Sequence, residues 1–193
     1  MRWSGLAAVA VVGLSTMAVA ADPITGKAAR AVLFAPEGAE VEMLVPGLLS
    51  EGDAAALKMV AEAQPYYGAV AISPDEGLMA EATVAAANYH DTDAATLTAL
   101  AGCDAKRKGA SPCVVVALIR PKDWEPRGVQ LSAAATAGFA KDYKGKRGKA
   151  LAISTSTGQW GVATGDGAAP AAVAACAAMA APPVADCAVV VAD

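Results

Sequence analysis

Ala69–Thr83 reads AVAISPDEGLMAEAT, and Ala150–Thr164 reads ALAISTSTGQWGVAT. The two stretches match in character without a gap, and their reading decides the fold. Each opens with an apolar strand, AVAIS or ALAIS. Each turns through four residues ending in glycine, PDEG or TSTG, and continues into a second strand, LMAEATV or QWGVAT. Pro74 suits an early turn position, and Gly77 and Gly158 suit a left-handed one. Each stretch therefore predicts a β-hairpin closed by a type I turn and bulge.

A helix follows each hairpin. In NYHDTDAATLTALAGC, Asp91 or Thr92 is the expected N-cap, with Leu97 and Leu100 on one face. In GDGAAPAAVAACAAM, Asp166 is the expected cap, and Pro170 falls near the first turn, where its missing N–H is tolerated. Each helix carries a cysteine near its end, Cys103 or Cys176. A second cysteine, Cys113 or Cys187, then opens a near-continuous apolar run, CVVVALI or CAVVVAD. Such runs read as strands buried on both faces. The unit is hairpin, helix and Cys-led strand, and its repetition predicts an α+β fold with antiparallel sheet and helices on one face.

The chain opens MRWSGLAAVAVVGLSTMAVAAD. Arg2 supplies a short positive start, Leu6 to Val19 an apolar core, and Ala18-Val19-Ala20 a small-residue cleavage site. That is the pattern of a secretory signal peptide over residues 1–20. Its apolar run is too short for a comfortable transmembrane helix, so the mature chain is expected in the periplasm or medium with no membrane span. Export governs how the four cysteines are read: an even count in an oxidising compartment predicts two disulfides. No Cys-x-x-Cys occurs and His90 is the single histidine, so a zinc site has almost no ligands to draw on. Neither metal nor cofactor is expected. The simplest connectivity is Cys103–Cys113 with Cys176–Cys187, but four cysteines allow three pairings and the sequence leaves all three open. Closing such small loops contributes roughly 2–3 kcal/mol each.

Hydrophobic residues make up 55% of the chain and aromatic residues 5%, so Ala, Val, Ile and Leu must build a thin, close-packed core that disulfides would support. The clear copies span 66–120 and 149–193. Residues 21–65 are expected as a ββα segment and a candidate decayed copy: AVLFAPEGAEVEMLV from Ala31 has strand, Pro-led turn and strand, and DAAALKMVAEA follows from Asp53. Residues 121–148 form a basic linker, with a short helix from Leu131 to Tyr143 capped by Ser132.

Formal net charge is −4, unevenly spread. Ala21–Cys103 holds three basic and twelve acidic residues, whereas Asp104–Lys149 holds eleven basic and four acidic. A basic middle between acidic flanks fits self-complementary packing or a surface for an anionic partner. Nucleic acid is not expected, because the chain is acidic overall and no aromatic residues interleave its lysines.

Tyr-Gly-Ala-x-Ala-x-Ser at Tyr67–Ser73, the Gly-ended turn, the Ala-rich helix ending in Cys103 and the Val-rich strand led by Cys113 resemble a family of small secreted bacterial Cys-paired domains of unknown function. The resemblance covers Tyr67–Leu118, and Lys149–Asp193 in shortened form. It implies a fold and no particular chemistry. The whole chain also looks like short bacterial proteins called 5-aminolevulinate synthase. That activity needs pyridoxal phosphate on a Schiff-base lysine within a large fold with a phosphate site. This chain is too short, and its lysines lie mainly in a solvated basic stretch, so no catalytic residue is carried over.

The catalytic candidates are His90, Asp91 and Asp93 in NYHDTD, where a carboxylate could orient a general base. As a structural alternative, the same loop precedes a helix and its acids can cap it. Ser73 and Ser154 sit at strand ends outside any nucleophile motif. For binding, the candidates are Trp124 in a charged, Pro-rich loop and Lys144, Lys146 and Arg147 in the basic segment. Trp160 reads as core. The expected function is an exported, non-catalytic protein that binds another envelope protein or an anionic envelope component. The alternatives are a small envelope hydrolase using His90 with Asp91 or Asp93, and a structural envelope protein with no discrete site.

Overall fold

The apolar strands AVAIS and ALAIS each become an inner strand of an antiparallel sheet. The computed structural model describes residues 22–146, 148–180 and 183–193; the expected signal peptide at 1–20 and the candidate Arg147 lie outside these. In chain order the elements are α1 (Gly26–Val32), β1 (Ala39–Met43), α2 (Glu51–Glu62), β2 (Gly68–Ile72), β3 (Val84–Ala86), α3 (Thr92–Asp104) and β4 (Val114–Pro121). There follow α4 (Ala133–Asp142), β5 (Lys149–Ser154), β6 (Trp160–Thr164), α5 (Ala168–Ala178) and β7 (Cys187–Ala192). The strands form one sheet of order β1-β4-β2-β3 and another of order β6-β5-β7. The fold is α+β.

Three strands of the first sheet match the three of the second; β1 has no counterpart. β2 lies between β3 and β4, as β5 lies between β6 and β7. Val70 pairs with Ala117 and Ala71 with Val115, leaving Val116 as an extra residue. Leu151 pairs with Val191 and Ala152 with Val189, leaving Val190 as the extra one. β4 and β7 thus bulge at the same station, where one additional residue kinks the pairing. Cys103–Cys113 and Cys176–Cys187 are disulfide-bonded, each with Cα atoms 6.1 Å apart.

Alternation along the inner strands sends successive side chains to opposite faces, and helices cover both. Ala69 and Ala71 pack against Ala95, Ala99 and Cys103 of α3, while Val70 and Ile72 pack with Leu57 and Ala61 of α2. In the second sheet Ala150 and Ala152 meet Ala168, Ala172 and Cys176 of α5. Leu151 and Ile153 meet Ala29 of α1 and Ala135 and Phe139 of α4. The expectation of helices on one face is corrected: inner-strand residues on both sides are apolar, and each side recruits a helix. The α3 and α5 faces are built from alanines and cystine sulfur, so helix and strand backbones approach closely; Gly161 of β6 has no room for a side chain against Ala172 and Cys176.

Several local expectations change. The first hairpin is not tight: Leu78–Thr83 stays in turns, and β3 starts only at Val84. Gly77 is left-handed (φ 79°) as its turn requires, whereas Gly158 is not. α3 buries Ala95, Ala99 and Cys103 and leaves Leu97 at 71% exposure. α5 is capped by Gly167, without a side-chain bond, and not by Asp166. β4 is an interior strand, but β7 is an outer one and mostly half-buried, its edge met by a parallel bridge from Ile24 to Val191. The N-terminal third is αβα and not ββα: Ala31 and Val32 end α1, and β1 pairs with β4, Val41 opposite Ile119.

Candidate functional site

The NYHDTD loop is the joint between the two sheets. Asn88 adopts φ 66°, a conformation asparagine tolerates better than most residues, and its Oδ1 accepts from Ala134 N at 3.0 Å in the first turn of α4. His90 is 2% exposed. Its Nδ1 accepts from the backbone N–H of Ser132 at 3.0 Å, and its Nε2 lies 3.0 Å from the carbonyl oxygen of Gln159. A backbone N–H can only donate, so Nδ1 carries no proton and Nε2–H is the donor to Gln159. Burial pushes the His90 pKa below the ordinary histidine value, against the opposing effects of the Gln159 bond and the Asp91 charge. Asp91 caps α3, accepting from Ala94 N at 2.7 Å, and Asp93 is exposed in the first turn. The neutral ring joins the first sheet, α4 and the second sheet. Both of its nitrogens are committed to backbone, so neither is free for proton transfer.

Trp124 is half-buried. Its ring packs with Tyr66, Tyr67 and Ala133, the Arg120 guanidinium stacks on it at 4.4 Å, and its Nε1–H donates to Gln130 Oε1 at 3.1 Å. Trp160 packs against α4 at Gly138, where there is no space for a side chain. Lys144 and Lys146 are exposed just beyond the C-terminus of α4. His90 bonds the other end of this ten-residue helix, about 15 Å away by helical rise. The structure therefore brings His90, Asp91 and the Trp124 loop into one region and leaves the lysines apart. Five of the eleven basic residues of Asp104–Lys149 pair with acids among the described residues: Arg107 with Asp104, Lys108 with Glu81, Arg120 with Glu42, Arg127 with Glu125 and Lys149 with Asp193.

Asp75 and Glu76 hold the loop that leads to β4. Asp75 accepts from the Ser111 N–H at 2.8 Å and the Ser111 hydroxyl at 2.9 Å, and Glu76 accepts from Lys108 N at 3.0 Å. The second sheet has the same clamp with the roles reversed. There the acid is Asp186, before β7, and it accepts from the Ser154 hydroxyl at 2.7 Å and the Ser156 N–H at 2.8 Å in the hairpin turn. Partial burial opposes ionisation of Asp186, but the bonds from Ser154 and Ser156 outweigh it and bring its pKa down to about 2.

Sequence reasoning missed an open apolar trough of about 370 Å³ between α2 and β3. Leu57, Val60 and Ala61 of α2 form one wall and Leu78, Met79 and Thr83 the other, with Val70 and Ala85 on the floor. Met79 is 91% exposed and Val60 62%. Both sit at the lips, so two large apolar groups of the trough face solvent. The signal was present in LMAEAT, whose Leu78 and Met79 have no strand to join.

Among the described residues, no cluster of three or more His, Cys, Asp or Glu side chains is placed to hold a metal ion. No helix among them is long and apolar enough to cross a membrane. Comparison of the chain with protein-family models, curated proteins and solved structures finds no match.

Proposed function

We propose that this is an exported binding protein that takes up an apolar segment of another envelope protein in the trough between α2 and β3. The observation that carries the reading is the exposure of Met79 and Val60 around an apolar floor. Large apolar side chains grouped about a concavity mark interaction sites more often than scattered ones do. Unbranched, polarizable methionine adapts well to a partner surface. Two disulfides fit an oxidising compartment. His90 offers no free base, which weighs against the hydrolase reading.

Affinity capture of the mature, oxidised protein from envelope extract tests this when the bait is varied. The partner should be retained by Lys144→Glu/Lys146→Glu and lost with Ala85→Arg, which places a charge on the trough floor. Loss with the lysine variant and retention with Ala85→Arg would overturn the trough and point to an anionic component at the basic loop.

A further inference from the structure

The second sheet shows what belongs over the corresponding surface of the first. Val70 is the counterpart of Leu151: both are inner-strand residues paired beside the bulge. Across the next strand, Val70 pairs with Ala85 and Leu151 with Val162. In the second sheet that face is closed by α4, whose Ala135 and Phe139 pack with Leu151 and Val162 while Trp160 lies on Gly138. In the first sheet α2 lies over β1 and β4 and covers Val70 of β2 from that side. The station over β3 that corresponds to α4's station over β6 holds no helix, and Ala85 is exposed there where Val162 is half-buried. The vacant station is the trough. The first unit's longer connection, Leu78–Thr83, supplies its outer wall, braced by the Thr83 hydroxyl donating to the Leu78 carbonyl at 2.6 Å.

Granting that the trough is the binding site, we infer that its occupant is an amphipathic α-helix of the partner, lying beside α2 over Ala85 as α4 lies over Val162. A helix suits the site on two further counts. The trough runs between a helix wall and a turn wall, a groove that an apolar helical face fills with side chains at i, i+3, i+4 and i+7. The floor residue Ala85 is small, so a bulky side chain on the incoming helix has space to enter; in the second sheet the fit runs the other way, Trp160 of β6 entering at Gly138 of α4. The competing mode is an extended segment pairing with the β3 edge. It would satisfy backbone groups of a three-residue strand and leave Val60 and Met79 uncovered.

Two synthetic peptides of identical composition separate the modes, titrated into the isotope-labelled, disulfide-bonded protein and followed by NMR. One is lactam-bridged, with leucines at helical spacing; the other alternates leucine with charged residues. The helical peptide should shift the amides of Val70, Thr83 and Ala85 saturably, and Ala85→Arg should weaken it by at least about tenfold. Saturation by the alternating peptide alone would overturn the helix and leave the trough as the site. The helix is equally overturned if neither peptide moves these amides at millimolar concentration. The capture experiment with Ala85→Arg decides the trough separately.

Discussion

His90 donates its Nε2 proton to the backbone carbonyl of Gln159, a residue 69 positions further along the chain, in the turn between β5 and β6. The same ring accepts from Ser132 at the head of α4. One imidazole therefore couples the loop after β3, the N-terminus of a helix and the turn of the second hairpin. It can do so only as the neutral tautomer, because a proton on Nδ1 would face the Ser132 N–H.

That requirement makes stability depend on pH. Burial lowers the folded pKa of His90 below its unfolded value of 6.5. Between the two values the unfolded chain binds the extra proton, so the stabilisation is fully present above pH 6.5 and is lost as pH falls toward the folded pKa. The loss should approach about 1.4 kcal/mol per pH unit. Urea unfolding between pH 7.5 and 5 should show this slope, and His90→Phe should abolish it. The same variant should cost about 2 kcal/mol or more at pH 7.5, because it strands the buried N–H of Ser132. An unchanged slope in the variant would refute the assignment.

Gly158 is needed for a different reason from Gly77. Its backbone lies against the Asn88 carbonyl with no space for a methyl group. Gly158→Ala should therefore destabilise by about 2 kcal/mol or more through overpacking and shift the amides of Asn88 and His90. Gly77→Ala strains only its own left-handed turn, so its NMR changes should stay within the first unit. Matching spectral footprints for the two variants would contradict this distinction.

How much of this could be read from the sequence depended on whether a feature was local. The strands AVAIS and ALAIS and the Ser132 cap are set by short-range pattern and form as expected, whereas of the three cysteine pairings the sequence leaves open it is the structure that selects Cys103–Cys113 with Cys176–Cys187. Leu78–Thr83 reads as strand because its apolar residues fit a β pattern; what they do, walling a trough, depends on β3 and on α2. Gly158 passed for a turn glycine because nothing nearby in sequence reveals that Asn88 presses on it. The role of His90 was equally hidden, since Ser132 and Gln159 are distant in the chain.

The carboxylate clamp at Asp186 gives an acid limb distinct from that of His90. Its folded pKa of about 2 lies below the ordinary 3.8, so its stabilisation is complete above about pH 4 and fades as pH falls toward 2. Asp186→Asn should lower the melting temperature at pH 7 and reduce the further loss seen between pH 4 and 2. Thermal scans across that range check it; an unaltered acid limb would contradict the clamp.

Each disulfide closes a short loop between a helix end and the strand that follows. Replacing Cys176 and Cys187 by serine should cost about 2–3 kcal/mol by the loop-entropy estimate, measured by chemical denaturation. A cost near zero would contradict the loop-entropy account and leave β7 held by its pairing with β5 and by the Asp186 clamp.

The most direct test of the trough is site-specific photo-crosslinking in intact cells, with the photoreactive residue at Met79 in one strain and at Lys144 in another. The account predicts a discrete crosslinked species from Met79, eliminated by Ala85→Arg, and none from Lys144. A crosslink from Lys144 with nothing from Met79 would contradict it.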